Sequence, residues 1–115
     1  MRVLIVEDEF LIATGLAAVL QDAGCEIIGM AASVPKSLRL LALSGGDAAV
    51  LDANLAGVSS EPVAAALRQS DIPFIVLSGY AQGQLSGALA DAPYLAKPCK
   101  GTDLVAAVFA QRRGA

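Results

Sequence analysis

Three four-residue runs restrict this chain more than anything else in it: Val3-Leu4-Ile5-Val6, Ala48-Ala49-Val50-Leu51 and Phe74-Ile75-Val76-Leu77. A strand with one wet face alternates apolar and polar residues. A strand buried on both faces is apolar throughout, and such strands belong to parallel sheets covered by helices on each side. The segments between the runs carry helical periodicity. From Glu9 to Ala23 the residues Ile12, Leu16, Val19, Leu20 and Ala23 recur at helical spacing, and Gly24 stops the helix. Cys25 to Met30 reads as a second strand. Ser33 caps a helix with Pro35 in its first turn and an apolar stripe through Leu38, Leu41 and Ala42, ended by Gly45-Gly46. Ser60-Glu61-Pro62 opens another helix, to about Gln69. A Gly/Ser-rich stretch from Gln82 to Ala90 predicts a weak helix, Tyr94-Leu95-Ala96 a short fifth strand, and Thr102 to Arg112 a last helix.

Each crossover is long enough for one helix, so the reading is an α/β fold with a doubly wound five-stranded parallel sheet. Residues 1–115 form a single domain with no linker or repeat, and 56% hydrophobic content supplies its core. Mean hydropathy is positive, yet no apolar run approaches the ~20 residues of a membrane span. Met1-Arg2-Val3 leads straight into a strand without the layout of a signal peptide. A net charge of −3 and the lack of a basic stripe argue against nucleic acid, and Arg112-Arg113 reads as a solvated helix end. A cytoplasmic domain is the expectation.

Histidine is absent. That excludes Ser-His-Asp and Cys-His catalysis, histidine-ligated zinc and a phosphohistidine on this chain. Chemistry must run on carboxylates, hydroxyls and lysine, with a hard metal as helper. In open parallel sheets the functional crevice lies beyond the carboxyl ends of the strands. Here those ends are polar: Glu7-Asp8 after the first, Asp52 after the third, Ser78 after the fourth and Lys97 after the fifth. Any one of them alone reads as a helix cap or a loop charge; together they read as a site. Clustered carboxylates repel unless a cation offsets them. Oxygens from Glu7, Asp8 and Asp52 suit Mg²⁺, which is commonly held by one or two carboxylates plus phosphate. Lys97 and Ser78 suit phosphoryl oxygens, and Asp52 is placed as a carboxylate nucleophile.

"VEDE", "LDANL", "LSGY" and "YLAKP" then occur in an order that resembles the receiver domain of two-component response regulators, over essentially the whole chain. The resemblance implies the flavodoxin-like, three-layer αβα arrangement with strand order 2-1-3-4-5. It implies Asp52 as phosphoacceptor, with Asp8, Asp52 and the backbone carbonyl of Asn54 as Mg²⁺ ligands and Glu7 acting through water. Lys97 and Ser78 would bind the phosphoryl group, Ser78 and Tyr94 would switch, and Asn54 and Tyr80 would modulate. A cis bond before Pro98 follows from the same likeness. The expected donor is a histidine kinase or histidine phosphotransfer protein. The output is an unknown downstream protein contacted through the fourth helix, fifth strand and fifth helix, by a monomer or weak homodimer. The resemblance implies a signalling domain that catalyses only its own phosphorylation and dephosphorylation. No effector domain follows the last helix, so the chain either acts through a protein partner or belongs to something longer.

Departures from the commonest pattern are visible. Ala56 stands where a proline is usual, Gly79 follows the switch hydroxyl and Cys99 follows "KP". "IPFIVLSGY" is similar in part to the FATGUY subgroup of receivers. Two other readings compete. A haloacid-dehalogenase-type phosphatase needs Asp-x-Asp after the first strand, where this chain has Glu7-Asp8-Glu9. A pseudo-receiver, a phosphorylation-independent interaction module, typically lacks the acceptor or the lysine, and both are present here. Cys25 and Cys99 fall on opposite edges of the expected sheet, on the order of 19 Å apart, too far for a disulfide.

Overall fold

The structure, a computed structural model, describes residues 1–79 and 82–111. Tyr80, Arg112 and Arg113 lie outside the described residues. The elements run β1 (Arg2–Val6), α1 (Phe10–Asp22), β2 (Glu26–Ala31), α2 (Val34–Ser44), β3 (Ala48–Asp52), β4 (Asn54–Leu55), β5 (Val58–Ser59), α3 (Glu61–Gln69), β6 (Phe74–Ser78), β7 (Tyr94–Ala96) and α4 (Gly101–Ala110). Five strands form one parallel sheet in the order β2-β1-β3-β6-β7. This is the expected 2-1-3-4-5 order, with β6 and β7 as the fourth and fifth strands of the sheet.

The apolar runs do what their composition demands. Every residue of β3 and β6 is buried, and the sheet carries one hydrophobic cluster on each face. Leu4, Val6, Ala49, Leu51 and Val76 point to the side covered by α2 and α3. Val3, Ile5, Val50, Ile75 and Leu77 point to the side covered by α1 and α4. The buried stripe of α1 is Ala13, Ala17 and Leu20, with Leu16 and Val19 half-buried and Ala23 in solvent. In α2 it is Ser37 and Leu41, whereas Leu38 is 36% exposed and Ala42 lies outside. Ser33 caps α2 as expected, its Oγ accepting from the Lys36 N–H at 3.3 Å.

Two elements differ from expectation. The weak helix over 82–90 is not an α-helix. It is two 3-10 turns, Gln82–Gln84 and Gly87–Leu89, so four α-helices are present among the described residues. Gly87 has φ +60, a left-handed value that interrupts a right-handed helix and that glycine adopts without a Cβ penalty. The second is the hairpin β4–β5 directly after Asp52, turning through Ala56 (φ 52) and Gly57 (φ 88). Positive φ at both central residues is the geometry that two-residue hairpins favour. Cys25 is buried, Cys99 half-buried, and both are free thiols. The Lys97–Pro98 bond is cis.

Candidate functional site

The carboxyl ends of β1, β3, β6 and β7 meet at one rim because the sheet is parallel. A cleft of about 360 Å³ there is lined by Asp8, Glu9, Asp52, Asn54, Ala56, Ser78, Gly79 and Lys97. Glu7 lies beneath it with only 1% of its side chain exposed. Lys97 joins the two sides: its Nζ is 2.8 Å from Glu7 Oε1 and 2.6 Å from Asp52 Oδ2. Lys97 reaches them because its backbone N–H bonds to the carbonyl of Ser78, extending the β6–β7 ladder beyond its last strand pair.

One ammonium thus serves two buried carboxylates. Burial alone would lower the Lys97 pKa, but the hydrogen bonds to Asp52 and Glu7 outweigh it and hold the group above its ordinary value. Glu7 goes the other way. Burial is the largest influence and, even against the Lys97 bond, lifts its pKa from 4.5 to about 7, with Asp8 and Asp52 pushing in the same direction. The remaining Glu7 oxygen accepts from the Glu9 N–H at 3.2 Å.

Asp52 is held at both oxygens. Oδ2 takes the Lys97 ammonium and Oδ1 accepts from the Asn54 N–H at 3.0 Å. Asn54 is itself fixed, its Oδ1 accepting from the Gly57 N–H at 2.7 Å across the hairpin turn. Ser60, absent from the sequence-based site, is a further fastening. It is fully buried and stands at the start of α3, but its hydroxyl makes no cap bond to the helix. Instead Ser60 Oγ donates to the Asp52 carbonyl at 2.5 Å, and its N–H bonds to the Ala53 carbonyl at 3.0 Å. The chain leaves Asp52, turns through the hairpin and returns to it. In the sequence, "SSEP" signals a helix start and nothing more.

Ser78 is 1% exposed at the end of β6 and lines the cleft. Tyr94, half-buried on β7, is not among the lining residues; it pairs in register with Val76, two positions before the Ala96–Ser78 pair. Tyr80 cannot be placed, since it falls outside the described residues.

Glu7, Asp8 and Asp52 each offer an oxygen, all within 4.8 Å of one another. Octahedral Mg²⁺ at about 2.1 Å from its ligands places neighbouring oxygens roughly 3.0 Å apart and opposite ones roughly 4.2 Å apart. Separations of up to 4.8 Å leave room for such an ion beside Asp8 and Asp52 with Glu7 reached through water, and an all-oxygen donor set is what a hard cation takes.

The model of the response regulator receiver domain matches residues 3–109. The chain belongs to this family. Receiver domains are signalling domains, and the five-stranded parallel sheet agrees with the family's solved structures. The transcriptional regulatory protein PdtaR of Mycobacterium tuberculosis is 33% identical over 111 residues, covering 93% of this chain and 54% of PdtaR. The chain spans about half the length of that relative. The solution structure of SdrG from Sphingomonas melonis is 38% identical with a TM-score of 0.81, covering 96% of this receiver and 94% of SdrG. The receiver domain of Erythrobacter litoralis PhyR superposes with a TM-score of 0.85 at 26% identity, over 99% and 93% of the two chains. No helix among the described residues is long and apolar enough to cross a membrane.

Proposed function

We propose that residues 1–115 act as a single phosphoryl-accepting switch, with Asp52 modified in a Mg²⁺-dependent reaction. One observation carries the reading: the Lys97 ammonium bridges Asp52 and Glu7, bringing acceptor, acid and cation from three strands to one point. A carboxylate oxygen of Asp52 attacks phosphorus. The bond from phosphorus to the donor nitrogen breaks, and its electron pair stays on the imidazole of a histidine kinase or phosphotransfer protein. The Asn54 N–H and Lys97 fix the plane of the Asp52 carboxylate before reaction. Asp8, Asp52 and the Asn54 carbonyl would ligate Mg²⁺, with Glu7 acting through water; when bound, the ion stabilises charge on the transferring oxygens. Lys97 then pairs with the phosphoryl group.

The product carries about −1.5 to −2 charge and draws the Ser78 hydroxyl towards it. That movement opens room for Tyr94 and alters the face made by residues 82–90, β7 and α4, which meets a downstream protein. Tyr80 would modulate the site. The setting is cytoplasmic, the molecule a monomer or weak homodimer, and its output protein-mediated without direct nucleic-acid contact. Incubation with acetyl phosphate and Mg²⁺, followed by intact-mass measurement, should show one hydroxylamine-labile phosphoryl group on the wild type and none on Asp52→Asn. Undiminished labelling of Asp52→Asn would remove Asp52 from its role.

A further inference from the structure

Residues 82–90 leave the switch strand and would be expected to answer any movement of Ser78, yet helix α3 holds them from the side. Glu61 and Arg68 stand seven residues apart on α3, two turns and about 10.5 Å along the axis. Both reach the same residue of the 3-10 turn. Glu61 Oε1 accepts from the Ala88 N–H at 3.3 Å, and Arg68 Nη2 donates to the Ala88 carbonyl at 3.0 Å. The acid sits in the first turn of α3 and the base in the last, each at the helix end its charge favours. Arg68 also lies 6.0 Å above the Phe74 ring. Between the two polar contacts, Leu89 is buried in the cluster that contains Val63, Ala64 and Leu67 of α3. Gly87 is moulded to the same contact, for a Cβ there would lie 2.9 Å from Glu61 Oε1. At its N-terminal end, one residue before Glu61, α3 is tied to the acceptor strand through the Ser60 hydroxyl on the Asp52 carbonyl.

We propose that Glu61 and Arg68 form an autoinhibitory bracket: α3, anchored to the Asp52 strand end, holds residues 87–89 in the 3-10 form and resists the phosphoryl-driven movement of the segment. The inference rests on phosphoryl binding at Asp52. Occupation of the cleft pulls on the segment through Ser78 and Gly79, while the bracket keeps Ala88 on α3. Free energy spent in parting the bracket is lost to binding in the cleft, and the coupling is reciprocal. Removing the bracket must therefore tighten binding of a phosphoryl mimic. A bracket that served only stability would leave affinity unchanged or weaken it.

The test is a titration of beryllofluoride with Mg²⁺ into full-length wild type and Glu61→Ala/Arg68→Ala, followed by NMR, with amide exchange recorded at Ala88. The double variant should bind about fivefold to tenfold tighter, as two lost hydrogen bonds imply, and its Ala88 amide should exchange faster in the free protein. Glu61→Gln, which keeps the acceptor oxygen, should bind like the wild type. Gly87→Ala attacks the contact from the other side, should tighten binding in the same way, and decides the matter if the double variant is unfolded. Faster exchange at Ala88 with unchanged or weaker affinity would overturn the proposal. Failure of the wild type to bind the mimic at all would instead overturn the Asp52 reading, and the bracket's role with it.

Discussion

Replacing Glu7 by glutamine should make this protein's stability less sensitive to alkali, although it removes one side of an ion pair. Glu7 shares a single ammonium with Asp52 and has almost no water around it. Burial dominates over the ion pair, and the carboxyl titrates near 7 rather than 4.5. The folded state therefore keeps the Glu7 proton through a window in which the unfolded chain has released it. Where the native state binds more protons, stability falls as pH rises. A displacement from 4.5 to about 7, at ~1.36 kcal/mol per unit, amounts to about 3 kcal/mol, present below pH 4.5 and gone above pH 7. Lys97 stays charged throughout, since its pKa is held above 10.5. Glutamine imitates the protonated carboxyl and has no such loss. Urea unfolding at pH 5, 6, 7 and 8 in EDTA should show the gap between the proteins moving in favour of Glu7→Gln by about 2–3 kcal/mol from pH 5 to 8. Mg²⁺ at pH 8 should restore wild-type stability relative to the variant, since a ligand of the folded state adds to its stability. Parallel curves for the two proteins in EDTA would refute the reasoning, for they would mean that Lys97 fully offsets burial.

Asp8→Ala should weaken Mg²⁺ binding by about tenfold or more, as loss of a charged ligand implies, and Glu7→Gln by less; a Mg²⁺ titration giving the reverse ranking would exchange their roles. Ser78→Ala should still accept phosphate from acetyl phosphate, while the beryllofluoride-induced NMR shifts at residues 83–100 shrink. Retention of the full shifts would take the switch away from Ser78. Ala56→Gly should raise stability by about 0.5–1 kcal/mol in urea, because relief of a left-handed alanine, at ~1–2 kcal/mol, exceeds the added chain entropy. A drop in the unfolding midpoint would show that the alanine methyl group contributes more than its backbone costs.

The buried strands were legible because both faces of the sheet are covered, so an unbroken apolar run has no other comfortable home. The acidic and basic site residues were legible for a related reason: Glu7, Asp52 and Lys97 each follow an apolar run and interrupt it abruptly. The hairpin after Asp52 was not legible, since its turn is Ala56-Gly57 and lacks the asparagine or aspartate that usually announces positive φ. The two 3-10 turns were hidden for a different reason. The second is met at Ala88 by Glu61 and Arg68 reaching across from another helix, and no local pattern in 82–90 records that contact. Ser60 misled in the same manner: a serine before Glu-Pro looks like a cap, but its hydroxyl serves the Asp52 carbonyl.

Lys97 is 45 residues from Asp52 and 90 from Glu7 in the chain, and this spacing bears on how the molecule comes into being. Contacts so distant in sequence close large loops and form late in folding. Until β7 docks on β6, the two acids have no ammonium between them, and a partly built sheet would not hold them buried in charged form. The phosphoryl reactivity proposed for Asp52 would thus be acquired with the last strand of the sheet. A nascent or damaged chain that lacks this strand would fall silent in signalling and would not send a false message.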